Sequence, residues 1–213
     1  MKKLSLLFTK DGLQWHISKG KTVLEEAFHF VTEETSPHLV EEKLDDVLKF
    51  DDYKEIEVIS ALNHFSLTPD TFAEHELGYK LISYNAPVDE ANEELMLSVN
   101  KKFAVQFYYT FPKHFYQKIK AKKLPTKFNF SGEKFLNALT VKNHKEIHIN
   151  LYHHQVEFFA FENKKVALYN NLDADSEVDF LYFIMFSLSK INFGTAETHF
   201  HIYGETHENE TFI

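Results

Sequence analysis

The stretch from Leu4 to Phe30 decides the fold. Leu4-Ser5-Leu6-Leu7-Phe8 places apolar residues two apart, the spacing of a strand with one buried face. Lys10-Asp11-Gly12 follows, and Asp-Gly between apolar runs marks a tight hairpin turn. Leu13 to Ser18 alternates back as a second strand. Lys19-Gly20-Lys21 turns again into a third, Thr22 to Phe30. The expected unit is a three-stranded antiparallel meander.

A helix and a strand should come next. Ser36-Pro37 has the form of an N-cap with proline at the first helical position. Val40, Leu44, Val47 and Leu48 make an apolar stripe, so a helix is expected over residues 37–50. Glu55 to Ala61 alternates as a fourth strand. Thr68-Pro69 is expected to open a further short helix by the same capping logic. Between Leu81 and Leu139 come strands at Leu95–Val99 and Phe103–Tyr109, then a helix from Pro112 carrying Phe115 and Ile119. A short strand at Phe128–Phe130 and a helix capped by Ser131, with Phe135 and Leu139, complete this segment.

The opening pattern then returns. Glu146 to Tyr152 alternates with Ile147, Ile149 and Leu151 on one face. His153-His154 turns into Gln155–Phe161, and Glu162-Asn163-Lys164 turns into Lys165–Tyr169. Ser176-Glu177-Val178-Asp179 is a variant of the capping box and starts a helix over Glu177–Lys190. That helix is apolar nearly all round, which predicts burial on most sides. Thr198–Tyr203 is the closing strand. Set side by side without gaps, Leu4, Leu6, Phe8, Leu13, Trp15 and Val23 fall on Ile147, Ile149, Leu151, Val156, Phe158 and Val166. Both halves read strand–hairpin–strand–hairpin–strand–helix–strand, the pattern of an internal duplication.

Composition narrows the functions. The 213 residues are 44% hydrophobic and 26% charged, ordinary values for a globular protein, and 22 Phe and 10 Tyr can fill a sizeable core. There is no Cys, which excludes disulfides, thiol nucleophiles and Cys-ligated metals. There is no Arg either, so bidentate guanidinium clamps on phosphate are absent. The net charge of −9 disfavours nucleic acid and anionic membranes as partners. The longest apolar run, Phe180–Leu188, is far short of the roughly 20 residues that span a bilayer. Lys10-Asp11 interrupts the early apolar run too soon for a signal peptide. The expected compartment is the cytoplasm, with no membrane association.

A meander, a helix and a strand in this order form the ribonuclease-H-like unit. Two such α/β (α+β) lobes in tandem make the actin-like ATPase fold of actin, Hsp70-type chaperones and sugar kinases. Phe65-Ser66-Leu67-Thr68-Pro69, Val166-Ala167-Leu168-Tyr169-Asn170-Asn171, Asp179-Phe180-Leu181-Tyr182-Phe183 and Ile202-Tyr203-Gly204-Glu205 resemble a Bacteroidetes family, domain of unknown function 3822. The resemblance runs from Leu4 to Glu205. It implies a divergent member of the actin-like superfamily and no established activity. The expected division is a first lobe over residues 1–80, connecting strands and helices over 81–140, and a second lobe over 141–213. Family members are expected to continue with helix and strand after Gly204, so the second lobe is expected to be either truncated or a shortened version of the family's domain.

Actin-like ATPases hold phosphates in two hairpin turns, one per lobe, with a carboxylate near the first strand to organise Mg²⁺. On that resemblance Thr9, Lys10, Asp11 and Gly12 are the candidate nucleotide-binding residues, with ATP and Mg²⁺ as the cofactors they would take. The plainer reading of Asp11-Gly12 is a hairpin turn. The second-lobe turn, Tyr152-His153-His154-Gln155, has no Gly, hydroxyl tip or carboxylate. No cofactor is therefore the expectation.

Two further groups stand out. His199 and His201 lie two apart on one strand and project to one face. With His148, Asn150 and Tyr203 they could form a metal patch, with no carboxylate expected within the two strands although Glu205 is close; the alternative is a polar sheet face, exposed or packed under a helix. Lys118, Lys120 and Lys122 belong to a basic run from Lys113 to Lys127 without an acid. They are the candidate patch for nucleic acid or an acidic partner; the alternative is a solvated helix face. Glu41, Glu42, Asp45 and Asp46 read as a solvated acidic face. The functional expectation is a non-catalytic scaffold or interaction protein, with an unknown protein partner or self-association. A nucleotide-binding ATPase using the interlobe cleft, or a nucleic-acid module through Lys113–Lys127, is the alternative.

Overall fold

The computed structural model describes residues 2–30, 38–50, 52–72, 74–152 and 154–204. The chain divides into two compact units, Met1–Glu133 and Lys134–Ile213.

In the first unit, β1 (Lys2–Thr9), β2 (Gly12–Lys19) and β3 (Thr22–Phe30) form the expected meander. Helix α1 (Leu39–Leu48) leads into β4 (Tyr53–Ser60), which runs parallel to β1. The expected Ser36-Pro37 cap lies outside the described residues. A second, antiparallel sheet follows, built from β5 (Phe65–Pro69), β6 (Glu93–Asn100) and β7 (Val105–Pro112) in the order β5-β7-β6, with α2 (Gly78–Ser83) between β5 and β6. Helix α3 (Lys113–Lys120) then leads to β8 (Thr126–Phe130), which joins the first sheet parallel to β4. The first sheet has the order β3-β2-β1-β4-β8. Its fifth strand comes from the segment expected to connect the lobes.

The helix expected from Thr68-Pro69 does not form. These residues end β5, where Thr68 and Pro69 pair with Gln106 and Val105 of β7. Strand β5 is an edge, and at its last residue proline forfeits no interior ladder bond.

The core of this unit lies on one face of the first sheet. Leu4, Leu6 and Phe8 of β1, Leu13, Trp15 and Ile17 of β2, and Ile56 and Val58 of β4 are buried with Leu44, Val47 and Leu48 of α1. Each such side chain contributes about 1.5–3 kcal/mol on full burial.

In the second unit, β9 (Lys145–Tyr152), β10 (Gln155–Glu162) and β11 (Lys165–Asp173) form another meander, followed by α5 (Glu177–Lys190) and β12 (His199–Gly204). The order is β11-β10-β9-β12, with β12 parallel to β9. Helix α4 (Ser131–Ala138) precedes the sheet. Ser176 caps α5 as expected, accepting the Asp179 backbone N–H at 3.2 Å.

The two meanders coincide in detail. The bounds of β1, β2 and β3 each recur 143 positions later in β9, β10 and β11. Leu4↔Ile17, Leu6↔Trp15 and Phe8↔Leu13 become Ile147↔Ala160, Ile149↔Phe158 and Leu151↔Val156. The register shift at Ile17/Ser18 recurs at Ala160/Phe161.

Helix α5 departs from its expected burial. Phe180, Ile184 and Leu188 enter the core with Ile147, Ile149 and Phe158. Val178, Leu181, Tyr182, Met185 and Phe186 are exposed, Val178 by 74% and Tyr182 by 60%. The helix carries two apolar stripes, and the sheet covers one. At the end of β12, Gly204 has φ +94°, and a Cβ there would sit 2.2 Å from the Leu151 carbonyl oxygen. Both features demand glycine.

Candidate functional site

Thr9, Lys10, Asp11 and Gly12 are brought together at the β1–β2 turn, where Thr9 pairs with Gly12 in the ladder. The Asp11 backbone N–H donates to the Thr9 hydroxyl at 3.2 Å. One of the amides a phosphate would need is thus turned onto the hairpin's own side chain. Of the second-lobe turn, His153 lies outside the described residues, and the His154 carbonyl accepts the Ala174 N–H at 2.9 Å.

The basic run is partly engaged. Lys118 on α3 donates to Glu41 and Asp45 of α1, both at 2.8 Å. Glu41 and Asp45 therefore do not form the purely solvated face expected. The Lys118 ammonium holds the Glu41 carboxyl below its ordinary range, first through the hydrogen bond and then through its charge. Lys120 is exposed and Lys122 half-buried.

The polar face of the second unit's sheet, β11-β10-β9-β12, is the most developed constellation. Period two along β9 places Glu146, His148 and Asn150 opposite the core residues Ile147, Ile149 and Leu151. Parallel pairing sets His201 of β12 beside His148. The two rings stack with centroids 4.5 Å apart. The ligand atoms of Glu146, His148 and His201 all lie within 4.8 Å of one another. This grouping corrects the one expected. His199 is exposed and stays out of it, and a carboxylate is present within the two strands. Glu146 opens the alternation of β9 and faces the same way as His148.

Two of the three groups of this cluster, Glu146 and His148, are held by hydrogen bonds. Glu146, 1% exposed, accepts the backbone N–H groups of Lys142 and Asn143 on Oε1. Its Oε2 faces His148 Nε2 at 2.8 Å. The other ring nitrogen, His148 Nδ1, meets the Tyr203 hydroxyl at 3.0 Å. Burial raises the Glu146 pKa, but the Asn143 amide, the His148 ring and the Lys142 amide outweigh it and hold the carboxyl at about 2. Burial lowers the His148 pKa against the pull of Glu146. The neutral imidazole donates from Nε2 and accepts from Tyr203. His201 Nε2 lies 3.8 Å from Glu146 Oε2, is shut off from solvent and makes no hydrogen bond.

A second buried carboxylate sits on the same face and was not singled out from the sequence. Glu157 of β10, fully buried, accepts from Asn150 at 2.8 Å, Tyr152 at 2.5 Å and Tyr169 at 3.0 Å. Helix α4 lies over this face through Phe135, whose ring meets Phe159 at 5.9 Å and Tyr203 at 5.6 Å. The signal was Glu157's position amid Val156, Phe158 and Phe159, where a charge requires partners.

Beside the exposed stripe of α5, Leu168 and Leu172 of β11 line a groove of about 430 Å³ with Tyr182, Phe183, Phe186 and Ile191. Among the described residues, no helix is long and apolar enough to cross a membrane.

Paired meanders, each followed by a helix and a parallel strand, define a mixed α/β protein of the actin-like ATPase fold. The chain belongs to the family DUF3822, a protein of unknown function, matched over residues 1–213. It is similar to a Bacteroides thetaiotaomicron protein with actin-like ATPase fold and unknown function: TM-score 0.81, 20% identity, 99% of this chain and 85% of the other covered. It is also similar to the cytoplasmic domain of EpsL, an inner-membrane component of the type II secretion system of Vibrio cholerae. There the TM-score is 0.54 at 10% identity, over 96% of this chain and 83% of the other. A PilM–PilN type IV pilus biogenesis complex matches with TM-score 0.50 at 12% identity, covering 88% and 66%. No curated protein matches the sequence. At these identities the likenesses establish the fold.

Proposed function

We propose that this chain is a non-catalytic cytoplasmic interaction protein whose working surface is the exposed stripe of α5, which joins it to a second copy of itself. The observation that carries this reading is the second apolar face of that helix. Val178, Leu181, Tyr182, Met185 and Phe186 recur at helical spacing and are each about half exposed or more. At 150–250 Å² per aromatic side chain and somewhat less per aliphatic one, the patch offers roughly 600 Å². A specific dimer needs about 800 Å² per partner, which the neighbouring groove residues of β11 bring within reach.

The charges favour an antiparallel pairing of two α5 helices. Glu177 and Asp179 lie in the first turn and Lys190 in the last. Antiparallel, each acidic end meets the partner's Lys190 and the helix dipoles oppose. Three facts support a non-catalytic reading. The first-lobe turn spends an amide on its own threonine, the chain has no arginine, and two structural neighbours are named as components of larger assemblies. The same reading takes the two meanders as copies of one ancestral unit, supported by their shared register and bulge position.

Sedimentation equilibrium of the full chain tests this. The expected result is a reversible dimer that Leu181→Glu converts to monomer, with an unfolding midpoint equal to that of the wild-type chain diluted until it is monomeric. Glu177→Lys or Lys190→Glu alone should weaken the dimer, and the two together should restore it. A wild-type chain that stays monomeric at high concentration overturns self-association. A rise in unfolding midpoint with ATP and Mg²⁺ overturns the non-catalytic reading, since a ligand bound only to the native state stabilises it.

A further inference from the structure

We propose that Glu146, His148 and His201 bind a zinc ion on the polar face of the second unit's sheet. The donor set is two imidazoles and a carboxylate, which suits zinc better than magnesium or calcium. Three observations carry the proposal beyond the mere presence of these residues.

First, the donors already converge. Their ligand atoms lie within 4.8 Å of one another. Around an ion held at about 2.0–2.1 Å by tetrahedral ligands, those separations close to roughly 3.3 Å. His201 can make that adjustment because it sits on the edge strand β12 with 40% of its side chain exposed.

Second, the supporting contacts are those of a built site. Two backbone amides fix Glu146 Oε1 and leave Oε2 directed at the imidazoles. The Tyr203 hydroxyl fixes the far nitrogen of His148. A ligating imidazole keeps its orientation through such a partner on its other nitrogen.

Third, His201 Nε2 is shut off from solvent and has no hydrogen-bond partner, yet lies 3.8 Å from the carboxylate. A buried nitrogen left this way costs free energy, and coordination removes the deficit.

The proton balance closes without an outside acid or base. Before binding, the His148 proton sits on Nε2 and is donated to Glu146. On binding, His148 takes the other tautomer: Nε2 offers its lone pair to zinc and Nδ1–H donates to the Tyr203 oxygen. The Tyr203 hydroxyl proton turns to water, which this exposed side chain can reach. Zinc takes the imidazoles in their neutral form and Glu146 as a carboxylate, and its fourth position takes a water.

The test uses the full chain, freed of metal by chelator and dialysed, titrated with zinc chloride by calorimetry and with cobalt(II) by absorption. The expected result is one ion per chain, a rise in unfolding midpoint that chelator reverses, and the visible bands of tetrahedral cobalt. His201→Ala should weaken binding by at least roughly tenfold, with a cooperative metal-free unfolding transition showing that the fold is kept. His199→Ala, an exposed control on the same strand, should bind like the wild type. Absence of one-to-one binding overturns the site. So does binding that His201→Ala leaves intact, or that His199→Ala weakens equally.

Discussion

At equivalent positions of their first strands the two sheets carry opposite charges: Lys3 in β1, Glu146 in β9. Lys3 lies at the surface, 39% exposed, and pairs with Glu57 at 2.7 Å, while Asn129 donates to the other Glu57 oxygen at 3.2 Å. Glu146 is sealed and satisfied by two backbone amides and an imidazole. The pattern repeats on the second strands. Gln14 of β2 donates to Glu26 at 3.4 Å in solvent, whereas its counterpart Glu157 is fully buried under three donors. One backbone frame thus supports either a wet or a sealed outer face. Apolar alternation sets the register on the core side, and the outer side is then free to differ. Sealing it carries one condition, that every polar group find a partner.

Seven substitutions, measured by denaturant unfolding, would break or sharpen this comparison. The largest effect belongs to the shared core side. Phe158→Ala and its counterpart Trp15→Ala should each lose about 3–5 kcal/mol; a much smaller loss in either sheet would mean that the two cores are not equivalent. Next, Glu157→Ala should cost about 2–3 kcal/mol, because Asn150, Tyr152 and Tyr169 lose their shared acceptor. Gln14→Ala, at the matching position, should stay within about 0.5 kcal/mol. Equal costs would refute the distinction between sealed and wet faces.

The helices after the meanders give the third contrast. Ser176→Ala should remove about 1 kcal/mol with the α5 cap, while His38→Ala should be neutral, since no side chain caps α1 there. Lys3→Ala should cost under about 1 kcal/mol, diminishing with salt, as for other half-exposed ion pairs.

Most of the fold was legible because strand alternation and turn residues are local signals. Asp11-Gly12 and Asn163-Lys164, the latter pair both at positive φ, mark hairpins wherever they fall. What escaped depends on distant neighbours. The apolar girth of α5 gives the sheet two apolar faces to choose from and does not say which one it covers. Thr68-Pro69 carries a helix-start signal that pairing with β7 overrides. In the candidate site, His-x-His spacing singled out His201, which parallel pairing sets beside His148. Glu146 was hidden at a strand end, and the orientation of Glu157 follows only from burial on both faces of the central strand β10.

The coincident bulge has a practical corollary. Because the irregularity falls at the same place in both sheets, the β1–β2 and β9–β10 hairpins are interchangeable cassettes as far as backbone is concerned. A chimera carrying either hairpin in the other's place would keep its strand pairing. Its success would turn on the outward-facing side chains alone, which makes this chain a scaffold for isolating what a buried polar layer demands.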